Sequence, residues 1–149
     1  MGFFGPTRIG SYGPVIDVWI GVSDAFARHE RSMGRAVPSP IKASFLIDTG
    51  ASVTVVTPQL VSRLRLQPTS GQQATTISAG ATVQSNQYDV SLSIPASAAG
   101  SGHDLKIGNL LVAELSLSGA PYDGLIGRSV LKNCALNYDG LAGTFRLDW

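Results

Sequence analysis

Asp48, Thr49, Gly50, Ala51 and Ser52 follow directly behind the apolar run Phe45, Leu46 and Ile47. That order places a carboxylate where a buried strand ends. A carboxylate flanked by so much apolar surface is costly to bury unless it is paired or hydrogen-bonded. Thr49 adds a short hydroxyl that can bond the backbone. Gly50 permits a turn or a close approach that a Cβ would block. Residues 53–56 then resume a β-like run. An ionisable group on a tight turn between two apolar segments is placed as a catalytic carboxylate has to be. Taken alone, Asp-Thr-Gly also fits a surface turn in which the Asp bonds its own backbone.

The remaining reactive residues offer less. Asp123-Gly124 and Asp139-Gly140 lack a hydroxyl residue between acid and glycine, so both are read as turn formers. Cys134 is the single cysteine, which rules out an intrachain disulfide and a thiol-based metal cluster. His29 and His103 lie in polar stretches without metal-ligand spacing, so no metal and no cofactor is expected. Nothing near Cys134 marks a nucleophile, and it is read as a core residue. The net charge of +1 gives no case for nucleic acid or an anionic membrane surface. Arg28, Arg31 and Arg35 are interrupted by Glu30 and read as a solvated face.

The elements that must position Asp48 follow from pattern. The chain of 149 residues, 44% apolar and 14% charged, suggests one domain with a real core. Residues 1–14 hold four glycines and two prolines and are expected to form a loose arm ahead of a single domain over 15–149. Residues 15–22 read as a strand, rich in β-branched and aromatic residues. A polar connection over 23–40 leaves room for a short helix around 25–31. Residues 41–47 form the strand that carries Asp48. Thr57 looks like an N-cap and Pro58 like the first residue of a helix with Leu60, Val61 and Leu64 inside, ended by Leu66-Gln67-Pro68. From Gly71 the period becomes two, which predicts a hairpin with small residues at its tip around Gly80. One or two strands are expected over 105–117. Leu125-Ile126-Gly127 reads as a buried strand end with close backbone approach, followed by a helix over 129–133. A closing hairpin over 134–138 and 144–149 turns at Asp139-Gly140.

The strand ending in Asp48-Thr49-Gly50-Ala51-Ser52, the small-tipped hairpin, and the late Leu125-Ile126-Gly127-Arg128 stand in an order that resembles the retropepsin-like aspartic proteases. The resemblance implies an all-β fold, a mostly antiparallel closed barrel with one or two short helices, acting as a homodimer on an extended polypeptide. It implies an aspartic endopeptidase in which Asp48 from two subunits activates water, with Thr49 bonding across the dimer axis and Gly50 presenting backbone. Ala51, Ser52, Ile77, Ser78, Ala79, Gly80 and Ile126 would contact substrate, with residues 77–80 in a covering flap. The chemistry asks for the dimer as well. This chain supplies one suitable Asp and is too short for two lobes. Arg128 matches an arginine that in retroviral members pairs with an acid at the position of Ser52, so here that pairing is lost or replaced. Residues 23–40 and 95–102 look like insertions relative to compact members. Two other readings compete: a non-catalytic retropepsin-like module for dimerisation or peptide binding, and a small β-barrel ligand binder. The first residues lack a signal-peptide pattern and no apolar run reaches membrane-spanning length, so a cytoplasmic protein is the default expectation.

Overall fold

Alternation in the sequence becomes alternation in burial. In β2 (Val15–Val22), Ile16, Val18 and Ile20 are buried while Asp17 and Trp19 face outward. In β3 (Ile41–Ile47), Ala43, Phe45 and Ile47 point into the same core. A computed structural model describes residues 1–69, 71–76, 80–98 and 102–149. Its remaining strands are β1 (Phe3–Arg8), β4 (Thr54–Val56), β5 (Gln72–Thr76), β6 (Thr82–Ile94), β7 (Leu105–Glu114), β8 (Gly124–Ile126), β9 (Ala135–Asp139) and β10 (Thr144–Asp148). Three short helices accompany them: α1 (Asp24–Ser32), α2 (Pro58–Leu64) and α3 (Arg128–Leu131).

The strands run in the order β2-β3-β8-β4-β7-β6, and β6 returns to β2 through Trp19↔Ser93 to Val22↔Val90. The ring is a closed barrel of 6 strands, which leaves no free edge around its wall. Two pairings are parallel, β3 with β8 and β4 with β7, and the others are antiparallel. β5 lies outside the ring and pairs with the first half of β6 as a hairpin, Gln72↔Asn86 to Thr76↔Thr82. Residues 105–117 supply one strand, not two.

The helices begin where the sequence provides caps. Ser23 accepts from the Phe26 amide at 3.1 Å to start α1. Thr57 accepts from the Leu60 amide at 3.4 Å to start α2, with Pro58 in the first turn. α2 stops at Arg65, whose φ of 51° is left-handed, three residues before Pro68. Leu60 and Leu64 are buried on its inner face.

The expectation of a loose arm over 1–14 does not hold for residues 3–8. β1 pairs antiparallel with β10, from Phe3↔Asp148 to Arg8↔Thr144, and β9 covers the other edge of β10. The register shifts between Phe4 and Thr7, which accommodates Gly5-Pro6 inside a strand. Gly5 has φ +94°, and a Cβ there would stand 2.7 Å from the Phe145 carbonyl oxygen. Phe4 packs on Phe145 with ring centroids 6.0 Å apart, and the Arg146 guanidinium lies 4.1 Å over the Phe3 ring. Phe145 and Leu147 are fully buried, so this small sheet closes one side of the core. Among the described residues no helix is long and apolar enough to cross a membrane.

Candidate active site

The chain leaves β3, passes over the end of β8, and re-enters the barrel as β4. β8 lies between them, parallel to β3 through Phe45↔Gly124, Leu46↔Leu125 and Ile47↔Ile126, and antiparallel to β4 through Val55↔Leu125. Three short strands side by side therefore hold the ends of the loop that carries Asp48, Thr49, Gly50, Ala51 and Ser52.

Hydrogen bonds hold the loop from beneath. The Asp48 amide donates to the Ile126 carbonyl at 3.0 Å, and the Arg128 amide donates to the Ala51 carbonyl at 2.8 Å. Arg128 also reaches up with its side chain. Its Nη1 donates to the Thr49 carbonyl at 2.8 Å and to the Gly50 carbonyl at 3.2 Å. The acid expected for this arginine in retroviral members is replaced here by two backbone carbonyls of the Asp48 loop. Within the loop, Asp48 Oδ1 accepts from the Gly50 amide at 2.8 Å, and the Asp48 carbonyl accepts from the Ala51 amide at 3.2 Å. Asp48 thus makes the local turn that an isolated Asp-Thr-Gly would make, and the second carboxylate oxygen has no bonding partner among the described residues. Asp48 is half-buried, whereas Thr49, Gly50 and Ser52 are exposed and Ala51 is half-buried.

Behind the loop lies a network that the sequence does not announce. Thr54, fully buried, shares a hydrogen bond of 2.9 Å with Ser129 Oγ. Ser129 Oγ accepts from the Thr54 amide at 3.0 Å, and Thr54 Oγ1 accepts from the Gly127 amide at 3.2 Å. The network fastens the start of β4 to the β8–α3 turn. We expect Thr54→Val to cost about 1–3 kcal/mol, because it leaves the Gly127 amide without its acceptor in a buried place. Urea unfolding of both proteins measures it, and an unchanged midpoint would remove Thr54 from the support of the site.

Asp123 does more than form a turn. Its Oδ2 accepts from the Ser44 amide at 2.9 Å, its own amide donates to the Ser44 carbonyl at 2.7 Å, and its carbonyl accepts from the Thr57 amide at 2.9 Å. Arg63 on α2 lies 3.5 Å from the other carboxylate oxygen. Asp139 remains a turn former, accepting from the Leu141 and Ala142 amides. Cys134 is half-buried against the core, and burial pushes its thiol pKa up. His29 and His103 are exposed. Among the described residues, no cluster of three or more His, Cys, Asp and Glu side chains forms a metal-binding group.

The candidates for substrate contact divide. Ala51 and Ser52 lie in the loop beside Asp48. Ile77, Ser78 and Ala79 lie outside the described residues. Gly80 follows them in the hairpin connection with φ +77°. Ile126 is not a surface residue: its side chain is 0% exposed, it packs in the core, and it serves Asp48 through its carbonyl. The reason is strand parity. Ile126 pairs with Ile47, on the inner face, while the half-buried Leu125 pairs with Leu46, on the face that also bears Asp48 two residues on.

A closed barrel in which an Asp-Thr-Gly loop is clasped between three short strands is the architecture of a single-lobe aspartic hydrolase. The chain belongs to the aspartyl protease family, whose model matches residues 39–130, from the start of β3 through the clasp to α3. Among solved structures it resembles a retropepsin-like aspartic protease from Rickettsia conorii, with 17% identity, 94% of this chain and 86% of that chain covered, and a TM-score of 0.51. EIAV protease, solved with the inhibitor HBY-793, aligns at 20% identity over 85% of this chain and 88% of that chain, with a TM-score of 0.47. No curated protein matches the chain.

Proposed function

We propose that two copies of this chain form a symmetric dimer in which the two Asp48 carboxyls share one proton and one water and cleave peptide bonds. The observation that carries this reading is the Asp48 loop itself. It is clasped at its base, exposed at its tip, and has one carboxylate oxygen bonded to Gly50 and the other unoccupied among the described residues. The chain contains a single Asp-Thr-Gly, so the second acid of a dyad has to come from a second copy. Two carboxyls about 3 Å apart cannot both ionise, which is general to aspartic dyads. One Asp48 takes a proton from water as the water oxygen bonds to the peptide carbonyl carbon. The other gives its proton to the carbonyl oxygen. The tetrahedral diol then collapses, the C–N bond breaks, and the amine leaves with a proton from the dyad. Before substrate binds the two copies are equivalent and titrate as a pair.

Thr49, exposed at the loop tip, bonds across the two-fold axis in this reading, and Gly50 offers backbone to the substrate. Leu46 and Leu125, on the Asp48 face, take the place of Ile126 as apolar walls for an extended peptide. The hairpin of β5 and β6, with Ile77, Ser78, Ala79 and Gly80 near its tip, covers it.

The test is concentration dependence. Specific activity on a mixed peptide library falls as the protein is diluted through the dimer dissociation range, and mass measured over the same range falls with it. Activity per chain that stays constant while the mass drops to that of the monomer would end the shared-site reading.

A further inference from the structure

A cavity of about 400 Å³ opens on the barrel between α1 and the segment that follows α2. Its size falls within that of small-ligand sites. Val22, Phe26 and Leu66 supply apolar lining, and Phe26 is left 41% exposed at it although it is a large aromatic. Three charged groups line the same space. Arg65 and Asp89 carry opposite charges, pair neither with each other nor with any other charged group among the described residues, and are both exposed. The third acid or base of the cavity is already spent, because Glu30 is held by Arg35 through two hydrogen bonds of 2.8 and 2.7 Å.

One further observation points to a ligand. Thr69 Oγ1 is buried with no hydrogen-bond partner among the described residues. Thr69 is one of the residues that line the cavity, so an unmet hydrogen-bonding group stands in its wall. Arg65 ends α2 at φ 51°, a left-handed position where glycine is the usual residue.

We infer that this cavity binds a short apolar zwitterion of about dipeptide size, its carboxylate on Arg65, its ammonium on Asp89 and its side chains against Phe26 and Leu66. A guanidinium takes a carboxylate through two parallel hydrogen bonds, and a carboxylate takes an ammonium through one charge-assisted bond. A ligand with a single charge would leave one wall group unanswered.

The inference is independent of catalysis and is tested in the Asp48→Asn chain, which cannot consume the probe. Leu-Leu, N-acetyl-Leu-Leu and Leu-Leu-amide are titrated by calorimetry and by amide chemical shifts. Free Leu-Leu binds and shifts the amides around residues 22–30 and 65–69. Each cap weakens binding at least about tenfold. Arg65→Gly suits the left-handed position, so it keeps the fold, and it abolishes the discrimination against the amide while retaining that against the acetylated form. Asp89→Asn does the reverse. Equal binding of the three probes overturns the inference, as does no binding up to about 10 mM. Unchanged discrimination in both variants overturns it as well.

Discussion

Asp48→Asn yields a folded chain whose peptide hydrolysis is reduced at least about a thousandfold. The substitution is close to isosteric, and Asn keeps an oxygen that can accept the Gly50 amide bond now made at 2.8 Å. The turn therefore survives and the near-ultraviolet circular dichroism of the protein is unchanged. What is lost is a group that can both take a proton from water and hold one for the carbonyl. The wild type shows a bell-shaped rate profile within about pH 3–7, because the dyad works only with one proton on it. The sharper consequence comes from mixing. Mixed with wild type at constant total chain concentration, Asp48→Asn draws active chains into mixed pairs, and activity falls with the square of the wild-type fraction once subunits exchange. A fall proportional to the fraction itself would mean that one chain carries the whole site. Retention of more than about a tenth of the activity by Asp48→Asn alone would remove the residue from the chemistry.

Gly127→Ala is expected to destabilise the fold by about 3 kcal/mol and to lower the melting temperature by about 6–12 °C. The backbone there, at φ −90° and ψ −178°, is open to any residue, so strain in the chain itself is not the cause. The cause is contact. An added Cβ would stand 2.2 Å from the Val53 carbonyl oxygen and 3.0 Å from that of Ala51. Both are backbone atoms of the segment that joins the catalytic loop to β4, and no side chain can swing aside to relieve them. Relief has to come from moving the loop off the turn that supports it, which breaks the bond from the Arg128 amide to Ala51. Activity is lost with stability. Gly143→Ala is the control. It has φ +66° but nothing within 4 Å of the new Cβ, so its cost is conformational and about 1 kcal/mol. A thermal scan of the three proteins decides it, and a drop under about 2 °C for Gly127→Ala would show that the clasp gives way easily.

The strand and turn around Asp48 were readable because local signals agree there. An apolar run, an acid, a hydroxyl and a glycine all say that a strand ends. The Thr57-Pro58 start of α2 was readable for the same reason, and so was the Asp139 turn. β1 was not, because Gly5 and Pro6 interrupt its pattern and its partner strand lies at the far end of the sequence. The Thr54–Ser129 network joins residues 75 positions apart, and neither hydroxyl is distinctive in its own neighbourhood. In Leu125-Ile126 both residues are apolar, so composition cannot say which faces the core. The pairing with β3 decides it. Arg128 stands out in the sequence, but its partners are carbonyl oxygens, which every residue has, so no sequence feature marks them. In the same way Asp123 advertised a turn and hid its bonds to Ser44.

The pairing of β1 with β10 also governs when this chain can fold. Its ladder joins residues 3–8 to residues 144–148, and the four barrel-closing rungs of β2 and β6 likewise join residues far apart in sequence. Such a topology has high contact order, and loop-closure entropy is spent before the distant contacts return it. Phe145 and Leu147, on β10, are both fully buried in the core. A nascent chain stopped short of them lacks one wall of its core and exposes the inner faces of its strands. The barrel therefore closes only once residues 144–148 are available to it, and the Asp48 loop is set in place together with the rest of the core.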